Sequence, residues 1–313
     1  MEILAYDQVD PEDVFHITML ALGSALTPEI SEHLQRTAHP PHPDLSVCAV
    51  EDDMVVGYAG VYPQPVLTIA GWEDVGCFWA VCIHPQYTGR GIATRLLEEV
   101  HVRMHAIGLR FSMFHTKRSL SAYQLFRRSG YEDMEIWATA VARWETAHQP
   151  TRLRAVPPDQ GGYDLTEQVF RDAARGLLGF TLRQKPFSRL QERVKLDEIQ
   201  ILWENDQPVG FALTSVDRSI LYVRDLILKN GVNPGEAAAA LASREKTACV
   251  YVKASRPVEI ASLRQAGYQI AHPDWSAFLV KPLAPDVTLQ EARRIFGIGT
   301  DRFLISCMDT IWE

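Results

Sequence analysis

The stretch Val81-Cys82-Ile83-His84-Pro85-Gln86-Tyr87-Thr88-Gly89-Arg90-Gly91-Ile92-Ala93-Thr94 reads as a strand end, a short loop, a glycine-rich turn and the start of a helix. Glycines without a Cβ let backbone N–H groups come close to an anion. The first turn of the helix adds unpaired N–H donors and the positive end of its dipole. The pattern is a cradle for a phosphate or pyrophosphate. It is not a P-loop, because no Gly-Lys-Ser/Thr follows. It is a poor dinucleotide fingerprint, because Thr94 stands where a third glycine belongs and no βαβ unit surrounds it.

Upstream, Val75 to Ile83 is apolar on both alternating faces, the pattern of a strand inside a covered sheet. Strict alternation puts Val75, Cys77, Trp79, Val81 and Ile83 on one face and Phe78, Ala80 and Cys82 on the other. Asp10-Pro11-Glu12-Asp13 predicts a helix start, with an N-cap and a first-turn proline, leading into an apolar stretch to Leu22. His39-Pro40-Pro41-His42-Pro43 is loop, since proline cannot continue a helix. Val47–Val50, the acidic turn Glu51-Asp52-Asp53 and Val55–Val61 predict a hairpin. Downstream, Ala93, Leu96, Leu97, Val100 and Met104 form one apolar helical stripe that stops near Gly108. Leu109–His115 predicts a strand, Ser119–Ser129 a helix closed by Gly130, and Tyr131–Trp144 further strand.

Arg152–Gly162, with paired prolines and paired glycines, reads as a linker. The second half then repeats the order of the first. Glu204-Asn205-Asp206-Gln207-Pro208-Val209-Gly210-Phe211-Ala212 echoes Glu51-Asp52-Asp53-Met54-Val55-Val56-Gly57-Tyr58-Ala59. Leu263-Arg264-Gln265-Ala266-Gly267-Tyr268 echoes Phe126-Arg127-Arg128-Ser129-Gly130-Tyr131. Two echoes in the same order point to an ancient duplication.

The first half, over about residues 1–145, resembles the GNAT (GCN5-related) N-acetyltransferase family. In that family Val-x-Pro closes the fourth strand, and Arg/Gln-x-x-Gly-x-Gly/Ala opens the helix that binds acetyl-CoA. Lys117-Arg118-Ser119-Leu120-Ser121-Ala122-Tyr123-Gln124-Leu125-Phe126-Arg127-Arg128-Ser129-Gly130-Tyr131 is similar to the family's Asn-x-x-Ala-x-x-Leu-Tyr-x-x-x-Gly-Phe. Thr88 is read at the Arg/Gln position, with Arg90 as the compensating cation, Ser119 at the Asn position and Phe126 at the helix tyrosine. The resemblance implies an α/β fold of the mixed-sheet (α+β) kind. It would be two GNAT-like domains in tandem, each a mostly antiparallel central sheet flanked by helices. The expected spans are a GNAT domain over 1–148, a linker over 149–162 and a second, degenerate copy over 163–313. In that copy Ile220–Leu228 stands for the central strand, and Pro234, Gly235 and Glu236 replace the glycine turn. Gly297-Ile298-Gly299 is read as loop.

The resemblance also implies the chemistry. The pantetheine arm of acetyl-CoA, the co-substrate, pairs with the strand near Val81, Cys82 and Ile83. The pyrophosphate takes the N–H groups of Thr88, Gly89, Arg90, Gly91, Ile92, Ala93 and Thr94, and Ser119 adds a hydrogen bond. A primary amine attacks the thioester directly, so a backbone N–H for the oxyanion and a base for the ammonium are needed. Glu73 or Asp74, ahead of the central strand, is a candidate base, beside the plainer reading of a solvated acidic turn. His84 and His115 read as structural. Phe126 has no proton to give the leaving thiolate; Tyr123, at i−3 on the same helix, is the candidate acid.

Composition bounds the rest. Lys plus Arg number 31 against 39 Asp plus Glu, net −8, a poor match for general nucleic-acid binding. Hydrophobic residues at 47% with 22% charged fit a globular chain, and no apolar run reaches the ~18 residues of a membrane span. Cys48, Cys77, Cys82, Cys249 and Cys307 are scattered, which argues against a disulfide framework or zinc site and favours a reducing cytoplasm. His33, His39 and His42 are too irregularly spaced for a metal. The expected partner is a small-molecule or peptide amine, with no nucleic acid and no membrane, and the chain acting as a monomer or homodimer. A non-catalytic acyl-CoA-binding or sensor protein of the same fold is the second reading. A dinucleotide-binding oxidoreductase is disfavoured by Thr94.

Overall fold

The structure is a computed structural model that describes residues 1–23, 42–159, 161–179 and 194–306. His33, His39 and Cys307 lie outside the described residues. The first half runs β1 (Glu2–Ala5), α1 (Pro11–Leu22), β2 (Val47–Glu51), β3 (Met54–Thr68), β4 (Gly71–Ile83), α2 (Ile92–Ala106), β5 (Phe111–Lys117), α3 (Ser121–Arg128), β6 (Glu132–Asp133) and β7 (Ala138–Arg143). Then come α4 (Trp144–Ala147), β8 (Arg154–Val156), α5 (Gly162–Ala173), β9 (Ile199–Glu204), β10 (Gln207–Asp217), β11 (Ile220–Leu228) and α6 (Pro234–Ala242). β12 (Cys249–Ala254), α7 (Pro257–Gln265), β13 (Gln269–Ala271), β14 (Ser276–Pro282) and α8 (Leu289–Phe296) complete the order.

The strands form two seven-stranded mixed sheets, ordered β1-β2-β3-β4-β5-β14-β6 and β13-β7-β12-β11-β10-β9-β8. Among the described residues, β4 pairs in parallel with β5 and β11 with β12. Each is covered on both faces. In the first, α2 and α3 pack with Phe78, Phe114 and Leu279 on one side, and α1 packs with Tyr58, Ala80 and Cys82 on the other. In the second, α6 and α7 pack with Val223 and Val252, and α5 packs with Phe211, Leu213 and Ile227.

The compact units do not follow the contiguous spans expected from sequence. Of the described residues, one holds those within Met1–Pro65, Trp72–Met134 and Trp275–Arg294; the other holds those within Val66–Gly71, Glu135–Asp274 and Ile295–Glu313. The stretch Tyr131–Trp144, expected as further strand, holds β6 and β7, which join different sheets. β14, from the far end of the chain, lies between β5 and β6, pairing Ser276–Pro282 against Lys117–Phe111. The stretch 149–162, read as linker, holds β8, which pairs with β9 at the edge of the second sheet.

Both sequence echoes are the same backbone device repeated. Asp52 and Asp53 have φ of 52° and 59°, and Asn205 and Asp206 have 46° and 61°, so each hairpin closes on a two-residue turn with both central residues left-handed. In each, the ladder then skips the valine of the Val-Gly pair, Val56 or Val209. The following glycine is required by close approach: a Cβ on Gly57 would lie 2.8 Å from Ile92 Cγ2, and one on Gly210 would lie 2.6 Å from the Ile227 carbonyl. Gly130 and Gly267 close α3 and α7 with φ of 88° and 89°. Beyond them, Tyr131 N–H donates to Phe126 O at 3.1 Å and Tyr268 N–H to Leu263 O at 3.0 Å, the same left-handed helix end.

Candidate functional site

β4 is a neighbour of β5 only at its middle. The parallel ladder covers Gly76–Phe78 against Ser112–Phe114, while β4 continues to Ile83 and β5 to Lys117. Past Phe78 the two strands no longer pair. The packing of β4 changes phase at the same point. Trp79 and Ala80, adjacent in sequence, both face the α1 side, whereas Phe78, Val81 and Ile83 face α2 and α3. This is a bulge, and it corrects strict alternation, which had Val81 and Ile83 on the face of Trp79.

The two residues that end the ladder belong to an aromatic cluster. Phe126 stacks on Phe114 with centroids 3.9 Å apart, and Phe78 meets Phe126 edge-on at 5.2 Å. Phe126 is fully buried. Tyr123, one turn earlier on α3, is half-buried and packs on the same core. A partly buried polar chain packs against Phe78 through His101. His101 Nε2 is 2.7 Å from Tyr131 Oη, Tyr131 Oη bonds Ser112 Oγ, and Lys281 Nζ donates to His101 Nδ1 at 3.3 Å. Because Lys281 donates to Nδ1, the imidazole proton sits on Nε2. Burial, then the Lys281 charge, pushes the His101 pKa down to about 3.

The cradle follows β4 directly. Gly89 and Gly91 have φ of 77° and 76°, left-handed values that favour glycine, and a Cβ on either would meet nothing within 4 Å. Gly91 caps α2, and the first intrahelical bond is Arg95 N–H to Gly91 O at 3.2 Å. The N–H groups of Ile92, Ala93 and Thr94 therefore have no intrahelical acceptor. Thr88 Oγ1 donates to Pro85 O at 3.0 Å, which fixes the turn. Thr88, Gly89, Arg90, Gly91 and Thr94 are exposed, Ala93 is half-buried and Ile92 is buried.

Topology gathers most of the sequence candidates. Val81, Cys82 and Ile83 end β4 and the cradle follows them; Ser119 and Tyr123 follow β5, whose C-terminal end lies on the same side of the sheet. Val81 and Ile83 are half-buried toward α2, while Cys82 is buried toward α1. Glu73 is not gathered. It stands at the opposite end of β4, held by Arg110 Nε at 2.8 Å and Nη2 at 2.9 Å. Sequence reading also missed Gln86. Counting three residues back from Gly89 puts Gln86, not Thr88, at the Arg/Gln position of the family pattern, and its backbone N–H donates to His84 Nδ1 at 3.3 Å. The motif spacing itself carried that signal.

The second sheet keeps the parting but not the cradle. The β11–β12 ladder ends at Val223–Val252, and Arg224 is an extra residue opposite β10, where Leu213 pairs with Asp225 and Thr214 with Val223. At the start of α6, Pro234 has no N–H. Gly235 N–H donates to Ser262 Oγ at 2.9 Å and Glu236 N–H to Asn233 Oδ1 at 3.1 Å. Leu304 and Ile305 line the space beside Asp225, and Ser306 Oγ donates to the Asp225 carboxylate.

Residues 12–131 match the model of the acetyltransferase (GNAT) family, and this part of the chain is a GNAT domain. Family members generally bind acyl-CoA and transfer its acyl group. Among solved structures, the chain is similar to a probable N-acyltransferase of unknown function from Enterococcus faecalis, at 11% identity over 90% of this chain and 71% of that one, TM-score 0.68. It is similar to a GCN5-related N-acetyltransferase from Anabaena variabilis at 14% identity over 90% and 73%, TM-score 0.67. It is similar to another from Kribbella flavida at 17% identity over 90% and 72%, TM-score 0.61. At such identities the likeness is one of fold, two GNAT-like domains in tandem. No curated protein sequence matches. Among the described residues, no helix is long and apolar enough to cross a membrane.

Proposed function

We propose that this protein is an acetyl-CoA-dependent N-acetyltransferase whose active site lies in the first GNAT domain. The observation that carries the reading is the parting of β4 and β5 beyond Phe78–Phe114, directly beside the open N-terminus of α2. The pantetheine arm pairs with the edge of Val81–Ile83, and the pyrophosphate accepts from the N–H groups of the Thr88–Thr94 turn. Ser119 supplies a hydroxyl at the other wall. A primary amine of a small molecule or peptide, whose nitrogen sheds its protons to solvent water, attacks the thioester carbonyl in a ternary complex, and a backbone N–H of the Trp79–Ala80 segment stabilises the oxyanion until the C–S bond breaks. Tyr123 is the proton donor for the leaving thiolate. Glu73, tied to Arg110 at the far end of β4, is left without a part in proton transfer. The second GNAT-like domain carries no cofactor. The setting is cytoplasmic, as a monomer or homodimer.

Thiol release from acetyl-CoA, screened across amino acids, polyamines, aminoglycosides and peptides, tests the reading. Amine-dependent release of free CoA supports it. Calorimetric binding of acetyl-CoA without turnover on any amine would favour a sensor of the same fold, which the buried Phe126 makes the second reading.

A further inference from the structure

Arg90 stands between the two left-handed glycines of the turn that the acyl-CoA reading assigns to the pyrophosphate. Its guanidinium is already engaged. Cζ lies 4.4 Å from the centroid of the Tyr87 ring, and Nη1 pairs with Glu51 Oε1 at 3.3 Å. Glu51 ends β2 at the hairpin tip, next to Asp52 and Asp53, which makes that tip anionic. Arg90 is 54% exposed and Glu51 30%, so the pair is a surface one and can be broken by a better partner.

We propose that Glu51 is an affinity-limiting residue of the acyl-CoA site: it competes with the pyrophosphate for Arg90. The proposal rests on the acyl-CoA reading above. When the pyrophosphate enters, either Arg90 leaves Glu51 to meet it, or the phosphate settles beside an uncompensated carboxylate. Both routes oppose binding, and both are removed when the carboxylate is. The consequence is a weaker donor complex and faster release of spent CoA than the cradle alone would give. Because an exposed ion pair is weak and screened by salt, the effect is a tuning of a few-fold and not a gate.

The test is calorimetric titration of the full chain with CoA at low and high salt, for the wild type, Glu51→Gln, Arg90→Met and the double variant. Glu51→Gln should tighten CoA by about two- to fivefold at low ionic strength, with a smaller gain at high salt. Arg90→Met should weaken it, and most of the Glu51→Gln gain should vanish in that background. With S-acetylpantetheine as donor, which has no pyrophosphate, Glu51→Gln should leave kcat/KM unchanged. Unchanged or weaker CoA binding by a folded Glu51→Gln overturns the proposal, as does an equal gain with S-acetylpantetheine. A wild-type protein that binds no CoA would instead overturn the functional reading beneath it.

Discussion

Phe126 lies flat on Phe114 and edge-on to Phe78, with no exposed surface. A tyrosine there would carry its hydroxyl into an apolar cluster, and an unsatisfied buried hydroxyl costs about 1–3 kcal/mol. Phe126→Tyr is therefore expected to lower Tm in a thermal melt without raising kcat. Tyr123 is the neighbouring ring with a proton to give. Tyr123→Phe should cut kcat about a hundredfold while acetyl-CoA affinity stays within about twofold; a fall below about threefold would leave water as the donor. His101 gives a pH signature. Its folded pKa of about 3 lies below the ordinary value of 6.5, so the unfolded chain takes up the proton first. Stability present at pH 7 should be lost progressively as pH falls from about 6.5 toward 3. His101→Gln should flatten that part of a Tm-against-pH curve, and an unchanged slope would contradict the assignment.

The helices α2 and α6 occupy corresponding places after β4 and β11, and their first turns differ in one respect that matters. In α2 the donors of Ile92, Ala93 and Thr94 lie behind an exposed Gly91; in α6 the corresponding donors meet Ser262 and Asn233. Gly91→Asp places a carboxylate at this opening without steric conflict, at the modest cost of a left-handed φ. It should weaken acetyl-CoA at least about tenfold, roughly 1.4 kcal/mol, by calorimetry. Unchanged affinity in a folded variant would remove the cradle assignment. Gly235 is no counterpart for a control. A Cβ there would sit 2.9 Å from Ala266 Cβ, so substitution disturbs the α6–α7 packing. Ser262→Ala serves instead: it strips the Gly235 N–H of its acceptor and should lower Tm while leaving acetyl-CoA affinity within about twofold.

At the scale of the whole molecule, each sheet includes a strand that a division of the chain into halves would remove. Residues 1–150 lack β14, whose full length pairs with β5, and their β7 has lost its partners β12 and β13. The exposed edge from Phe111 to Lys117 is a template for pairing with another chain. Expressed alone, residues 1–150 should self-associate or aggregate, as read by light scattering after size exclusion. A monomeric, fully active fragment would contradict the exchange. Burial explains thiol behaviour on the same scale: Cys48 and Cys82, both pushed up to about 12, should resist alkylation in the native protein and react once it is unfolded.

Local rules were enough wherever a residue answers only to its neighbours in sequence. Asp10 accepts from Glu12 N–H at 2.9 Å at the expected N-cap, and the glycines at 89, 91, 130 and 267 hold the left-handed turns that their positions demand. The sequence thus determined the hairpins, the helix ends, the glycine turn before α2 and the repeated order of elements. Tertiary structure decided whatever depends on a distant partner. Alternation along β4 holds until Trp79 and then slips, because a bulge is set by the strands alongside and leaves no mark on a strand apolar on both faces. β14 carries nothing in Ser276–Pro282 that names β5 as its neighbour; an apolar strand pairs with whichever edge the chain path brings to it, so the exchange was invisible to local pattern. Glu73 shows the same limit at the site. A carboxylate before a strand looks catalytic or idle by its spacing, and only the fold brings Arg110 to it from the strand next door.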